Sequence, residues 1–333
     1  MEKRKLGGKG TMVSPIGIGA MSFSDFYGPT DTEKSHAILA KALDLGIDHI
    51  DTSNVYGPGI SEERIGSFLA QQGPARHDMF KIATKAGINR SEDGTPHFDN
   101  SRQHLEAELD KSLGRLGLDQ VELFYVHRRD PERPIEEVTE TLAGFVKAGK
   151  TRQIGFSEIA PTSLTRAAAV HPVGAVQSEY SLSTRSPELG LVQMTEKLGV
   201  SLVAFSPVGR SLLTDAPHTE DRVQTFPFLK NNPRFLEPNL SRNVDATEGF
   251  RGLAREMGVK ASTLAIAWLL HQGEHILPIP GTRSTEHLLE LAKGAEMTLS
   301  VSDLEAINKQ LPIGWAHGDR YSIAQWIGPE KYC

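Results

Sequence analysis

His49-Ile50-Asp51-Thr52-Ser53-Asn54-Val55-Tyr56-Gly57, reached through Leu45-Gly46-Ile47, decides how the chain is read. An apolar run gives way at Asp51 to small polar residues, as it does where a buried strand meets a loop. Before it, residues 31–45 carry Ala37, Ile38, Ala40, Leu43 and Leu45 on a helical period, with Thr30, Asp31 and Thr32 as cap candidates and Gly46 as the stop. After it, Ser61-Glu62-Glu63 opens a helix expected to run to residue 71. Helix, strand, loop and helix in that order form a parallel β/α unit.

Working outward, the unit repeats. Strands are expected at 79–85, 121–127, 152–156, 175–177, 200–205 and 275–279, and helices at 100–116, 134–148, 161–170, 187–198, 262–271 and 285–294. Adding a short strand at 15–19, strands begin near Ile16, Ile47, Phe80, Val121, Ile154, Ala175, Leu202 and Ile276. Eight units without a composition break predict an α/β fold, a closed (β/α)8 TIM barrel, as a single domain over residues 1–333. A doubly wound open sheet would want a glycine fingerprint in its first turn, and Gly17-Ile18-Gly19-Ala20-Met21-Ser22 lacks the third glycine. Residues 3–14 read as a short N-terminal β-hairpin turning through Gly7-Gly8-Lys9-Gly10. Extra C-terminal helices are expected at 245–257 and from residue 300, before a polar tail containing Gly318-Asp319-Arg320-Tyr321. Residues 207–243 form the one long irregular stretch, and such a loop in a compact domain usually serves as a lid or binding segment.

Composition narrows the function. A net charge of −6 offers no basic field for nucleic acid or an anionic membrane. The longest apolar run, near Leu264 to Leu270, is too short to span a bilayer, and no apolar signal core follows the charged N-terminus. The one cysteine, Cys333, permits no internal disulfide, which suits a reducing compartment, and the expected localisation is cytoplasmic. No HxH pair occurs among the 12 histidines and no acidic cluster accompanies them, so no metal is expected. Nothing in the sequence specifies an oligomeric partner.

In a barrel the reactive side chains sit at the C-terminal ends of strands. Asp51, Lys85 and His127 each close an expected strand, and Tyr56 lies one short loop past Asp51. A phenol is a poor acid near neutral pH, and an adjacent ammonium is expected to lower its pKa. Asp51 would hold Lys85 charged, while His127 could bond a substrate oxygen or help move the proton. Singly, each residue has a plainer reading: a loop cap for Asp51, a solvated charge for Lys85, loop packing for Tyr56 and a surface imidazole for His127. Their coincidence at three strand ends favours a proton-transfer site.

The ordered motifs resemble the aldo-keto reductase family along essentially the whole chain. They are Gly17-Ile18-Gly19-Ala20-Met21, Ile50 through Gly57, Thr84-Lys85, Tyr125-Val126-His127, Ile154-Gly155-Phe156-Ser157-Glu158, Val176-Gln177-Ser178-Glu179-Tyr180, Phe205-Ser206-Pro207-Val208-Gly209-Arg210 and Pro280-Gly281-Thr282-Arg283. The resemblance implies an NADP-dependent oxidoreductase that binds NADPH without a Rossmann domain and reduces a small aldehyde or ketone. Asp51, Tyr56, Lys85 and His127 would be its catalytic residues, with Tyr56 as proton donor. Ala20, Met21 and Asp51 would contact the cofactor, Ser157 and Gln177 its carboxamide, and Phe205 its nicotinamide ring. Ser206, Val208, Gly209 and Arg210 match the pyrophosphate loop, and Gly281, Arg283, His287 and Glu290 match the adenosine end. Arg283 is the natural partner of a 2′-phosphate. Two positions depart from the family pattern: His287 replaces Gln or a basic residue, and Leu291 replaces Asn.

Glu158 after Ser157, Phe26-Tyr27-Gly28-Pro29, Asn232-Pro233-Arg234-Phe235 and the tail motif resemble the branch of plant auxin-induced-type and fungal pyridoxal reductases. Pyridoxal is therefore one candidate substrate. The pocket loops would be residues 22–27, the loop after Lys85 with Phe98, Arg128-Arg129 and residues 226–240. Their aromatic and basic mixture suits an apolar carbonyl compound with a polar or anionic arm. The alternative is a cofactor-binding regulatory subunit resembling the potassium-channel β subunits.

Overall fold

In the computed structural model, which describes residues 1–8, 10–90 and 96–332, eight parallel strands pair in sequence order. They are β1 (Ile18–Gly19), β2 (His49–Asp51), β3 (Lys81–Ala86), β4 (Val121–Val126), β5 (Thr151–Ser157), β6 (Ala175–Glu179), β7 (Ser201–Phe205) and β8 (Ile276–Pro278). The ring closes where the Gly17 and Gly19 amides donate to the Pro278 and Pro280 carbonyls at 2.9 and 3.0 Å. A Cβ on Gly19 would lie 2.6 Å from the Ile279 carbonyl oxygen, and one on Gly17 would strike the His49 ring. The partial glycine fingerprint is thus the seam of a barrel, where at Gly19 two backbones approach too closely for any side chain and at Gly17 the His49 ring takes the space.

Period-two alternation separates two layers. Ile50, Ile82, Phe124, Ile154, Val176, Leu202 and Ile276 point outward and pack beneath the helices. Ala83, Leu123, Tyr125, Ala175, Val203 and Leu277 point inward and fill the barrel, plugged at its N-terminal end by Leu6 and Val13 of the hairpin Arg4–Leu6 and Thr11–Val13. The turn position Lys9 and the terminal Cys333 lie outside the described residues.

The surrounding helices are α1 (Thr32–Asp44), α2 (Ile60–Ala70), α3 (Arg102–Leu116), α4 (Ile135–Lys147), α5 (Pro161–Val170), α6 (Leu191–Leu198), α7 (Ala261–Leu270) and α8 (Thr285–Gly294). Helix α3 illustrates the local logic. The Ser101 hydroxyl accepts from the His104 amide, Leu105, Leu109, Leu113 and Leu116 are buried, and Gly117 ends the helix at φ +66°. Extra C-terminal helices at Glu248–Glu256 and Val301–Gln310 complete the shell. Among the described residues no helix is long and apolar enough to cross a membrane.

Three local expectations need correction. Residues 207–243 are not irregular throughout: 3-10 turns at Gly209–Ser211 and Pro233–Phe235, helix Glu220–Gln224 and helix Asn239–Ala246 lie within or across that stretch. They bury a small core of Leu212, Val223, Phe226, Leu229, Phe235 and Leu240. These elements are too short to display a period and are punctuated by Pro233 and Pro238. A second hairpin, Ile88–Arg90 with Pro96–Phe98, follows β3 and went unread because proline argues against a strand. The expected helix at 187–198 divides at Gly190, φ +140°, into a 3-10 turn and α6.

Candidate active site

The inward layer continues past the hydrophobic fill, and there its chemistry changes. Two residues beyond Ala83 comes Lys85, two beyond Tyr125 comes His127, two beyond Ala175 comes Gln177, and two beyond Val203 comes Phe205. Asp51 and Ser157 end β2 and β5 on the same face. They surround a cavity of about 1530 Å³ that opens at the C-terminal ends of the strands. Lys85 was expected to end its strand; β3 runs one residue further, to Ala86, and His127 stands one residue beyond β4.

Lys85 is fully buried and forms an ion pair with Asp51. Its ammonium also donates to the Thr52 carbonyl at 2.7 Å and to the Tyr56 hydroxyl at 3.4 Å. The second Asp51 oxygen accepts from Gln177 Nε2 at 2.7 Å. The Asp51 carboxylate is therefore used by Lys85 and Gln177 across the barrel and not as a cap of the Thr52–Asn54 loop. The Tyr56 and His127 rings meet edge to face, their centroids 5.9 Å apart, and His127 Nδ1 lies 3.1 Å from Ser53 Oγ. Asp51, Tyr56 and His127 line the cavity, with Lys85 behind them.

Burial pushes the Asp51 carboxyl up while Lys85 pulls it back, and burial pushes the Lys85 ammonium down while Asp51 restores it. The pair is mutually neutralising. The expected depression of the Tyr56 pKa does not occur: burial first, and then Asp51, raise the phenol above its ordinary value, against the opposing charge of Arg128. His127 is driven well below the usual imidazole range by burial and by the Arg128 and Lys85 charges, and is neutral.

Further along the cavity, Ser157 and Gln177 are register partners on adjacent strands, while Phe205 rests on the barrel fill and exposes part of its ring. Met21, Ser206, Val208 and Arg210 also line the cavity. Ala20 and Gly209 do not. Ala20 is fully buried, its carbonyl accepting from Ser61, and Gly209 is held at φ +60° beside Ser183. The Arg210 side chain is buried and paired with Glu179 at 2.8 Å, in a network where Arg320 bonds Glu158 and lies 3.6 Å from Glu179. That network ties the tail to the ends of β5 and β6, which gives Glu158 a structural task.

Gly281, Arg283, His287, Glu290 and Leu291 line the far end. Arg222 and His218, from the segment after β7, join them and were missed because short polar helices leave no sequence period. Burial and the charges of Arg222 and Arg283 push the His218 imidazole down to about 4, and burial with Arg222 lowers the Arg283 guanidinium. Two guanidinium groups that repel across a cavity end make a place for an anion. Among the described residues no cluster of three or more His, Cys, Asp or Glu is placed to hold a metal ion.

A closed β/α barrel with a polar, inward-facing constellation at the C-terminal ends of its strands has the form of a TIM-barrel enzyme. The model of the aldo/keto reductase family matches residues 15–311. The chain is 37% identical over 322 residues to aldo-keto reductase yakc [NADP(+)] of Schizosaccharomyces pombe, covering 96% of this chain and 94% of that one. It is 36% identical over 318 residues to probable aldo-keto reductase 1 of Glycine max, covering 95% and 91%. Among solved structures, the glycerol dehydrogenase AKR11B4 from Gluconobacter oxydans superposes with a TM-score of 0.81 at 25% identity, covering 93% and 94%. The chain belongs to the aldo/keto reductase family and is an oxidoreductase.

Proposed function

We propose that this protein reduces an aldehyde or ketone to an alcohol with NADPH, and that Tyr56 delivers the proton. The observation that carries the reading is the buried Lys85, bonded to Asp51 on one side and directed at the Tyr56 hydroxyl on the other, in a cavity that also presents Ser157, Gln177 and Phe205. The name of the Schizosaccharomyces pombe relative supports NADP as the cofactor. The residues present suit that group: an aromatic face, a hydroxyl and amide on adjacent strands, and an opposed pair of arginines at the far end.

Bound NADPH supplies the hydride. Ser157 and Gln177 would hold its carboxamide, Phe205 would offer a ring face to the nicotinamide, and Arg283 with Arg222 would receive the 2′-phosphate. Tyr56 stays protonated because its pKa is raised, so the donor is always loaded; the growing basicity of the carbonyl oxygen draws the proton across. Lys85 Nζ, 3.4 Å away, stabilises the phenolate left behind. His127 is neutral, and in the tautomer whose Nδ1 accepts from Ser53 its proton would sit on Nε2, available to the same carbonyl oxygen. The aromatic side chains Phe26, Phe98, Phe228 and Tyr321 suit a flat ring, and pyridoxal is one such substrate.

Purified protein mixed with NADPH and 4-nitrobenzaldehyde should consume both and form the alcohol. Tight NADPH binding with no turnover across a panel of aldehydes would overturn the enzymatic reading in favour of a regulatory role.

A further inference from the structure

Arg128 and Arg129 follow His127 as a chemically identical pair, and the structure separates them. Arg129 is engaged: Nη1 bonds Glu330 at 2.8 Å, and Nη2 donates to the Arg133 carbonyl at 2.6 Å. Arg128 lines the cavity and meets no carboxylate at ion-pair distance among the described residues. Among the described residues its side-chain hydrogen bonds come from Nη1, to the His127 carbonyl at 2.7 Å and to Ser157 Oγ at 3.0 Å. Nε and Nη2 have no partner among the described residues.

The side chain is nevertheless held in place. Asn100 donates to the Arg128 carbonyl at 3.1 Å, fixing its backbone. The stem packs under the C-terminal tail so closely that a Cβ on Gly328 would lie 2.8 Å from both Arg128 Cδ and Phe98 Cζ. A half-buried arginine with neutral partners among the described residues, lining the same aromatic cavity as Tyr56 and His127, is a charge without its counterion. Its presence is felt at the reacting groups, since it opposes the rise in the Tyr56 pKa and helps keep His127 neutral. Guanidinium N–H groups bind carboxylate and phosphate in a bidentate manner, and such charge-assisted bonds strengthen where water is scarce.

We propose that Arg128 anchors the substrate through an anionic arm, so that this site selects carbonyl compounds bearing a carboxylate or phosphate. The inference rests on the reductase reading and adds the substrate class to it. The anion would occupy the nitrogens that Ser157 and the His127 carbonyl leave unused. Arg128 would then act in binding and positioning, while the proton still comes from Tyr56.

The test compares 2-, 3- and 4-carboxybenzaldehyde with their methyl esters, and pyridoxal 5′-phosphate with pyridoxal, in wild type, Arg128→Gln and Arg128→Lys. Wild type should prefer the acid over its ester at one or more ring positions, or the phosphate over the free alcohol. Arg128→Gln should lower that preference by roughly tenfold or more, mainly through KM for the anionic partner. Arg128→Lys, which keeps the charge and loses the fork, should fall between. The carboxylate and phosphate arms tell which anion the site was built for. Equal use of acid and ester by wild type, with no gain from phosphate, would overturn the proposal. So would an Arg128→Gln variant that loses NADPH affinity and turnover of both partners alike, the outcome expected if Arg128 merely props Ser157. Binding of the same pairs, read by tryptophan fluorescence, tests Arg128 without turnover. A protein that binds the acid through Arg128 but reduces nothing would sink the reductase reading and leave the anion site standing.

Discussion

Replacing either partner of the Asp51–Lys85 pair should expose how the site is held together. Lys85 is 0% and Asp51 5% exposed in their side chains, so a charge left alone by removal of the other is poorly solvated. Stranding one buried charge costs about 3–5 kcal/mol, whereas neutralising both together often costs little. Asp51→Asn and Lys85→Met are therefore each expected to lose about 3–5 kcal/mol in urea denaturation. The double variant, whose introduced carboxamide can still bond Gln177, should lose far less than the sum. The two single variants should respond to pH in opposite directions. In Asp51→Asn, burial lowers the Lys85 pKa with only the lesser pull of Glu62 left to restore it. Its stabilising contribution is full above the unfolded value, about 10.4, and falls as pH drops through the folded value, so this variant should stabilise as pH rises from neutral. In Lys85→Met, burial raises the lone Asp51 carboxyl. Its contribution is full below the unfolded value, about 3.9, and falls as pH rises through the folded one, so this variant should stabilise toward acid. Reductase activity should be low in all three, since Lys85→Met and the double variant remove the ammonium beside Tyr56 and Asp51→Asn removes the carboxylate that holds it charged. Losses that add within about 0.5 kcal/mol, or parallel pH slopes, would refute the coupling.

Arg283→Ala should weaken NADPH roughly tenfold or more and NADH much less, as measured by fluorescence titration; equal losses would remove Arg283 from the 2′-phosphate. Arg320→Met strands Glu158 and should cost about 3–5 kcal/mol, with partial recovery in Arg320→Met/Glu158→Gln measured by denaturation. His49 is buried against the seam at Gly17, and burial lowers its imidazole to about 4. Stability from keeping it neutral is full above about 6.5 and lost as pH falls toward the folded value, a change of up to about 3 kcal/mol. His49→Gln should flatten urea midpoints across that window, and an unchanged slope would assign acid sensitivity elsewhere.

The barrel was legible because each strand and helix is long enough to show its period. The two layers of β3 to β7 can be read by alternate residues, and the same alternation brings Lys85, His127, Gln177 and Phe205 to one inward face. The seam glycines were visible but ambiguous, since a close backbone approach and a phosphate turn leave the same residue. Arg128 could not be told from Arg129, because what distinguishes them is Glu330, two hundred positions away along the chain. The direction of the Tyr56 shift was misread for a related reason. The lysine was visible in the sequence, but the burial of the phenol and its closeness to Asp51, which raise its pKa, are properties of the assembled barrel. Arg222 and His218 sit in a stretch whose helices are shorter than the windows in which periodicity can be seen.

The central claim is that Tyr56 supplies the proton. Its most direct test is single-turnover reduction of 4-nitrobenzaldehyde by Tyr56→Phe, which keeps the ring beside His127 and removes only the hydroxyl that Lys85 reaches. With NADPH bound at near wild-type affinity, the rate should fall by roughly 10²–10⁴-fold. A variant that reduces the aldehyde at the wild-type rate would contradict the account.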